Sequence, residues 1–203
     1  ELVSALKTVF EPNTSDSHLL AWTTTPWTLP ANTAIGVGKD IDYAEAEVGG
    51  ERLILAKALV EKVLIDEKKQ PLEYKVIREM KGAELIGLEY EPLLGVHHGE
   101  HAHKVWEYPD LSAEEGTGIV HLAPIYGEAD FELAKANDIP RVHVIDDNGF
   151  YFPEVAEKLF ELMPWVDATK PLEVWENNKN VAKGLQKAGI VWKIDYIQHE
   201  YPL

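Results

Sequence analysis

The chain has 203 residues, and 35 aspartates and glutamates against 19 lysines and arginines give it a formal net charge of −16. Its hydrophobic fraction of 45% indicates a chain that folds around a core and excludes a disordered acidic segment. The absence of cysteine excludes disulfides, thiolate metal sites and a cysteine nucleophile. Gripping a nucleic-acid backbone needs clustered Lys and Arg, so the acidity argues against a protein that does so by itself.

No apolar run approaches the roughly 20 residues that cross a bilayer, and the first residues lack the basic and apolar layout of a signal peptide. We therefore expect a cytoplasmic protein without a membrane partner. The apolar pattern predicts, in chain order, strands at 18–24, 34–37, 43–48 and 52–55, a helix at 56–64, a strand at 74–80, an irregular stretch at 84–103, a strand at 118–121, a helix at 128–137, a strand at 141–145, a helix at 174–188 and a strand at 191–198.

Strands dominate this pattern, helices are few, and no βαβ rhythm runs through the chain. The predicted fold class is therefore α+β: one β-rich domain over 1–203, with a closed or strongly bent, barrel-like mixed sheet and a few peripheral helices.

The first candidate site is the segment 22–32, Trp-Thr-Thr-Thr-Pro-Trp-Thr-Leu-Pro-Ala-Asn. Its two prolines stiffen a stretch with four threonines and one asparagine, and a stiff loop can present hydroxyl and N–H groups in fixed directions. Such a wall could position a ligand and a water molecule. A well-packed corner between strand and loop explains the same residues, because threonine is a good strand former.

The second candidate is the segment 116–130, Gly-Thr-Gly-Ile-Val-His-Leu-Ala-Pro-Ile-Tyr-Gly-Glu-Ala-Asp. A short apolar strand delivers His121 at its end, and Asp130 begins a predicted helix. Polar groups at such ends often line sites. A structural histidine and a carboxylate favoured by the helix dipole are the alternatives.

A third segment, 97–103, holds four histidines and one glutamate within seven residues. These are donors for a transition metal, but a solvated loop rich in histidine accounts for them equally. Gly36-Val37-Gly38 lacks the third glycine of a dinucleotide-binding loop. We therefore expect no cofactor and no resident metal, with a His-cluster metalloprotein as an alternative.

The first two segments together resemble the editing domain of isoleucyl-tRNA synthetase, the insertion called connective peptide 1. Lys81-Gly-Ala-Glu-Leu and His199-Glu-Tyr-Pro extend the similarity over nearly the whole chain. The valyl and leucyl families typically carry Arg where Thr25 stands, and the valyl family usually has Lys in place of His121. The signatures of the synthetic site are absent from this sequence, so the chain resembles an editing domain excised from a larger synthetase.

The resemblance implies hydrolysis of valine from misacylated Val-tRNA(Ile), and of valyl-adenylate, by attack of water on an activated ester. A missing methylene changes binding by only about 1–3 kcal/mol, a magnitude for which the isoleucyl enzyme is itself the standard example. A second site too small for isoleucine then removes the valyl product. Such a site needs an oriented water and support for an oxyanion, but no covalent nucleophile.

Residue roles are implied in the same way. The resemblance gives Asp130 the α-ammonium group of the substrate and His121 the wall that excludes isoleucine. Trp27 shapes the amino-acid pocket and Asn32 holds the loop. Contacts to the terminal adenosine and the reactive water fall to the three consecutive threonines Thr23, Thr24 and Thr25.

The implied partners are the 3′ end of tRNA(Ile) carrying valine and the rest of the synthetase. We expect the isolated domain to be a monomer that binds tRNA weakly and with strong dependence on salt. The alternatives are an editing domain of the valyl or leucyl enzyme and a catalytically silent module that binds the tRNA end.

Overall fold

The structure is a computed structural model that describes residues 2–10, 17–109 and 111–200, with the backbone alone for 2–10 and 196–200. Within these residues the strands are β1 Leu2–Phe10, β2 His18–Leu19, β3 Ala21–Thr23, β4 Ala34–Val37, β5 Asp42–Val48, β6 Glu51–Ala56, β7 Lys75–Lys81, β8 Lys104–Glu107, β9 Ile119–Leu122 and β10 Val191–Glu200. The α-helices are α1 Val60–Val63, α2 Gly82–Leu85, α3 Glu128–Asn137, α4 Pro153–Leu162 and α5 Val174–Lys187. Two 3-10 helices cover Pro26–Ala31 and Lys57–Leu59.

Six strands form the first sheet, in the order β10-β1-β3-β9-β4-β8. β4 runs antiparallel to β9 and parallel to β8, and β3 runs parallel to β9, so the sheet is mixed. β4 is buried along its whole length, as its apolar sequence Ala-Ile-Gly-Val requires of a central strand. This sheet brings the ends of β3 and β9 side by side.

The second sheet has four strands in the order β2-β6-β5-β7. β5 and β6 form a hairpin around Gly49-Gly50, two glycines that both have positive φ. Tyr43 of β5 joins this sheet to the first one. Its hydroxyl donates to the Gly118 carbonyl at 2.7 Å and accepts from the Gly38 N–H at 3.0 Å. Burial raises the pKa of the Tyr43 hydroxyl to about 12, so the proton that makes this link is retained.

One hydrophobic cluster contains side chains from both sheets and from the two longest of the C-terminal helices, with Leu19, Ile35, Leu55, Leu159 and Leu185 among its fully buried members. Each leucine or isoleucine side chain buried in this way contributes about 1.5–3 kcal/mol of transfer free energy. Helix α5 reaches the cluster through Val174, Val181 and Leu185, the helical spacing that the sequence predicts, and ends before Gly189 at φ 75°.

The expectation of a closed or strongly bent, barrel-like sheet is wrong. Both sheets are open: within the described ranges no ladder joins β10 to β8 or β2 to β7. The physical reason lies at Leu20, where the chain leaves β2 in one sheet and enters β3 in the other, with the Leu20 N–H bonded to the Ile54 carbonyl at 2.9 Å. A continuous apolar stretch therefore serves two sheets. The α+β class with few helices agrees with the structure.

The predicted strand at 141–145 is also wrong. Its apolar residues pack onto the core without a ladder, and only Ile145 forms an isolated bridge, to Tyr151. Helix α4 and strand β8 were not predicted. Tyr201 and Pro202 of the C-terminal similarity lie outside the described residues. Every helix in the described part of the chain falls short of the length and hydrophobicity needed to cross a membrane.

Candidate active site

A cleft of about 220 Å³ opens where β3 and β9 lie side by side. It brings together residues that are about 100 positions apart in the sequence, and its walls are Trp22, Thr23, Thr24, Tyr108, Val120, His121, Leu122 and Asp130. Seven of the eight belong to the two sequence segments, and the exception is Tyr108. The structure thus places Thr23, Thr24, His121 and Asp130 around one cavity.

Glycine is required where the second segment approaches the first. Gly116 has a φ of 65°, and a Cβ added to it would lie 2.1 Å from the indole of Trp22. Only glycine combines this backbone conformation with so close a contact. The loop before β9 therefore packs directly on the aromatic ring that begins the threonine segment, and this contact fixes one wall of the cleft.

His121 is buried and held by hydrogen bonds at both ring nitrogens. The Asn32 amide nitrogen lies 2.9 Å from His121 Nδ1 and also donates to the Ala34 carbonyl at 2.9 Å. Because that nitrogen can only donate, His121 Nδ1 accepts, and the proton of the ring resides on Nε2. Nε2 then donates to the Thr28 hydroxyl at 2.9 Å.

Burial lowers the pKa of His121 to about 3, because desolvation disfavours the charged imidazolium. The ring is therefore neutral at physiological pH, and its one basic nitrogen is occupied by Asn32. Tyr90 completes the arrangement by donating to the Asn32 side-chain oxygen at 2.5 Å. His121 therefore lines the cleft as a neutral ring whose two nitrogens already have hydrogen-bond partners.

The threonines form an ordered chain of hydroxyl groups. Thr28 donates to the Thr25 carbonyl at 2.8 Å, so its hydroxyl oxygen accepts from the Thr25 hydroxyl at 3.1 Å. Thr25 in turn accepts from the Thr23 hydroxyl at 3.2 Å, and Thr23 accepts from the Thr25 N–H at 3.0 Å. All three hydroxyl protons are used within the protein.

Thr24 differs from its neighbours. Its side chain is half-buried and lines the cleft, and among the described residues its hydroxyl has no hydrogen-bond partner. Thr24 is consequently the threonine that can donate a hydrogen bond to a molecule in the cleft. Thr23 lines the cleft, and its hydroxyl oxygen can still accept a hydrogen bond from a ligand. The side chain of Thr25, in the middle of the hydroxyl chain, is exposed.

Asp130 supplies the carboxylate of the cleft from the first turn of α3. One oxygen accepts from the Ala123 N–H at 3.0 Å, and the other lies 3.5 Å from the Tyr108 hydroxyl. Burial raises the pKa of the Asp130 carboxyl, an effect that outweighs the two hydrogen bonds. No lysine, arginine or histidine within the described ranges forms an ion pair with it. A partly desolvated carboxylate without a cationic partner is suited to binding a cation.

Three of the predicted site residues stand outside the cleft walls: Thr25, Trp27 and Asn32. Trp27 packs edge-on against Tyr126 at 5.3 Å between ring centroids and against Trp175 at 5.2 Å, and its carbonyl accepts from Tyr151. Asn32 lies behind His121. Their assignment to substrate binding stays a prediction, in which Asn32 holds the loop.

Sequence reasoning missed Tyr108, Thr28 and Tyr90. Thr28 lies within the first segment, and the strand-favouring residues Val105, Trp106 and Tyr108 were the available signal for β8 and for the tyrosine that follows it. Tyr108 reaches the cleft because β8 pairs with β4, where Gly36 leaves space: a Cβ there would lie 2.8 Å from that of Tyr108. No local pattern reveals this long-range pairing.

The histidine cluster lies elsewhere. His97 and His98 pack against His103 with ring centroids 5.8 and 5.6 Å apart, beside a second, largely apolar cavity of about 320 Å³ behind the 3-10 helix at Pro26–Ala31. Among the described residues no group of three or more His, Asp or Glu side chains is arranged to hold a metal ion.

Comparison with known proteins gives one consistent relationship. The chain is 38% identical over 195 residues to an isoleucine–tRNA ligase from Bdellovibrio bacteriovorus, covering 94% of this chain and 17% of that protein. It is 39% identical over 198 residues to the ligase from Clostridium novyi, covering 92% and 16%. A third ligase, from Sulfolobus acidocaldarius, is 43% identical over 145 residues, covering 68% and 13%. The chain thus spans about one sixth of the first two relatives, and no protein-family model matches it.

Solved structures share the fold. GlLeuRS-CP1 superimposes with a TM-score of 0.65 and 14% identity, covering 94% of this chain and 83% of that chain. The editing domain of the P. falciparum cytosolic leucyl-tRNA synthetase gives a TM-score of 0.62 at 11% identity, covering 89% and 81%. At such low identity the likeness concerns the fold alone.

Proposed function

We propose, for a chain that is homologous to one segment of isoleucine–tRNA ligases and has the fold of synthetase editing domains, that it is an editing domain that hydrolyses the ester of misacylated Val-tRNA(Ile). Valyl-adenylate is a second substrate of the same kind. The partners are the 3′ end of that tRNA and the remainder of a synthetase. The domain by itself makes no aminoacyl-tRNA.

Asp130 is the observation that carries the proposal. An aminoacyl ester presents a free α-ammonium group, and Asp130 offers a carboxylate whose ionised form lacks a cationic partner among the described residues. Burial removes water that would stabilise the ionised Asp130 carboxylate, and a bound ammonium group replaces that stabilisation. We therefore expect this ion pair to contribute much of the affinity for the substrate. With the ammonium fixed, the ester carbonyl and the side chain of the amino acid point in defined directions.

The hydrolytic step follows from the remaining groups. A water oxygen attacks the carbonyl carbon, the bond to the ribose oxygen breaks, and the water proton passes to that oxygen, releasing valine and a tRNA with a free hydroxyl. Thr24 can donate to a group in the cleft and Thr23 can accept from one, which suits them to orient the water and the terminal ribose. His121 is poorly suited to act as the base, because burial lowers its pKa to about 3 and its unprotonated nitrogen already accepts a hydrogen bond from Asn32.

Exclusion of isoleucine is assigned to the rigid wall at His121. Because two hydrogen bonds fix the ring, it does not yield to a larger side chain. Forcing one extra methylene against a packed wall costs about 1–3 kcal/mol, which corresponds to roughly a 5- to 150-fold preference for the smaller substrate. The Asn32 amide maintains this wall from behind.

The test is hydrolysis of Val-tRNA(Ile) by Asp130→Ala and by Glu128→Ala. Both residues lie in the first turn of α3, but Glu128 is exposed and away from the cleft walls. We expect the Asp130 variant to lose 100-fold or more in rate, about 2.7 kcal/mol or more in transition-state stabilisation. The Glu128 variant should keep the rate of the parent chain. Equal rates for both variants and the parent would refute the proposal.

The substrate panel decides between the close alternatives. Ile-tRNA(Ile) should be spared, whereas preferential hydrolysis of Thr-tRNA(Val) or Ile-tRNA(Leu) would identify a valyl or leucyl type of specificity. Binding of tRNA without hydrolysis of any ester would identify a silent binding module.

A further inference from the structure

Helix α5 exposes a row of four residues at every fourth position: Trp175, Lys179, Lys183 and Lys187. Residues four apart lie on the same face of a helix, one turn above another. All four are exposed, and the indole of Trp175 is 68% accessible, the highest value among the large hydrophobic residues that stand out at the surface. We call these residues the α5 row.

The α5 row stands out against the charge of the whole molecule. The chain has a net charge of −16, yet its longest helix carries three lysines and a single glutamate, Glu176. Lys183 and Lys187 form no ion pair within the described ranges. A cationic face on a strongly acidic protein attracts an anionic partner to that face and repels it from the rest of the surface.

The row begins at the 3-10 helix that carries Trp27, a residue outside the cleft walls. Trp175 packs against Trp27 with ring centroids 5.2 Å apart, and the Trp27 N–H donates to Asn178 of the same helix at 3.2 Å. Trp27 belongs to the 3-10 helix at Pro26–Ala31, which also carries Thr28 of the hydroxyl chain. Because these contacts tie α5 to the threonine segment, the row and the cleft keep a fixed relation to each other.

A second indole accompanies the lysines along the helix. Trp165 is 42% exposed, its ring N–H donates to Asn180 at 3.1 Å, and Lys187 Nζ lies 4.2 Å from its ring centroid. The face thus interleaves ammonium groups with the flat surfaces of two tryptophans. Alternation of cations and aromatic rings is the pattern by which proteins bind single-stranded nucleic acid without reading its sequence.

We propose that the α5 row binds the single-stranded nucleic acid that leads into the cleft, with Trp175 stacking on a base and the lysines contacting phosphates. The inference rests on the proposed function and adds the path of the strand to it. The lysines rise by about 6 Å from one to the next along the helix axis, four residues at 1.5 Å each. One ammonium group per turn therefore offers a regular series of contacts to a flexible backbone.

The experiment measures binding of a fluorescently labelled single-stranded RNA of about 12 nucleotides, a length within the range that such sites cover. The RNA carries no amino acid, so the readout does not depend on hydrolysis and is independent of whether the editing proposal holds. Lys183→Ala and Lys187→Ala remove exposed charges, and Lys135→Ala on α3 removes one that lies outside the row.

We expect Lys183→Ala and Lys187→Ala each to weaken binding and to reduce the slope of log affinity against log salt by about 0.7, the value for one phosphate contact on a single strand. Lys135→Ala should change neither quantity. Trp175→Ala should weaken binding by about 5- to 150-fold, the equivalent of stacking one base, and Trp175→Phe should restore most of the loss. Near-UV circular dichroism checks that the variants keep the native fold.

Two outcomes would overturn the inference. The first is an unchanged affinity and salt slope for both lysine variants. In the second outcome, the lysine variants lose as much binding to a polyglutamate peptide as to RNA, and Trp175→Ala affects neither ligand. The row would then be a general contact for acidic protein surfaces.

Discussion

The side chains around the cleft differ in whether their hydrogen-bonding groups are already used within the protein. The polar groups of Thr28 and Asn32 form hydrogen bonds with His121 and with the backbone, and the two residues therefore maintain the shape of the site. Thr24 and Asp130 keep capacity for a ligand. Residues of both kinds are adjacent in the sequence, so composition alone cannot separate them.

Replacing Thr28 by valine should destabilise the fold by about 1–3 kcal/mol, because it leaves the buried Nε2–H of His121 without an acceptor. The shape of the side chain is kept, so the loss reports the hydrogen bond and not a cavity. Urea unfolding measures it. Thr24→Val is the matched control and should change the free energy of unfolding by less than about 0.5 kcal/mol. Equal effects of the two substitutions would contradict the assigned proton positions.

The sequence predicted the residues that face the cleft better than the residues that hold them in place. His121 and Asp130 stood at the end of a strand and the start of a helix, where local pattern suffices. Tyr90 donates to Asn32, which bonds to His121, and Tyr108, which follows β8, lies beside Asp130. Each contact joins residues that are distant in the sequence. Such pairing arises from packing of the whole sheet and leaves no local signal.

Strand β4 positions the elements around the cleft. It pairs with β9, which carries cleft residues, and with β8, which leads to Tyr108. Gly36 lies at the crossing point, where an added Cβ would come within 2.8 Å of Tyr108 Cβ and 2.9 Å of Val120 Cγ2. A glycine in the middle of a buried strand is otherwise unfavourable, which indicates that close approach of the neighbours requires it.

Gly36→Ala should therefore cost about 1–3 kcal/mol of stability by overpacking and should also lower the rate of ester hydrolysis, because Tyr108 and Val120 both line the cleft. Gly49→Ala provides a comparison, since nothing lies within 4 Å of a Cβ there and only its positive φ is strained. Its effect should fall on stability alone. Thermal unfolding and initial rates distinguish the two, and an intact rate in the Gly36 variant would argue against the wall assignment.

Elements with strong local patterns were predictable, and their arrangement was not. The helical spacing of Val174, Val181 and Leu185 identified α5, and the apolar pattern at 43–48 and 52–55 identified β5 and β6. The apolar run at 141–145 suggested a strand because burial and strand pairing favour the same residues. Likewise, the stretch 18–24 gave no sign that Leu20 divides it between two sheets, and this division is what excludes a barrel.

For the molecule as a whole, buried histidines couple stability to pH. Burial lowers the pKa of His121 to about 3 and that of His103 to about 4, against about 6.5 in an unfolded chain. Below pH 6.5 the unfolded chain takes up a proton on each, whereas the native protein does not until its lower pKa is reached. Native stability is therefore lost as pH falls from 6.5 towards 4.

Between pH 7 and pH 5 the loss should amount to about 2 kcal/mol for each histidine. Asp130 acts in the opposite direction, since its raised pKa favours proton uptake by the native state. Urea unfolding at the two pH values measures the sum, and His103→Gln should reduce the difference by about 2 kcal/mol. The same difference in the variant and the parent would show that His103 is not neutral in the native protein.

The pairing of β1 with β10 has a mechanical consequence. Leu2 lies opposite Glu200 in an antiparallel ladder that continues to Phe10, and β1 joins the remainder of the first sheet only through its last three residues. The chain thus enters and leaves the domain side by side, so a host protein could carry it as an insertion without separating the residues on either side. A force that pulls Leu2 and Glu200 apart would break the hydrogen bonds of this ladder one after another. The strands beside the cleft would bear the force only after the β1–β10 pair had separated.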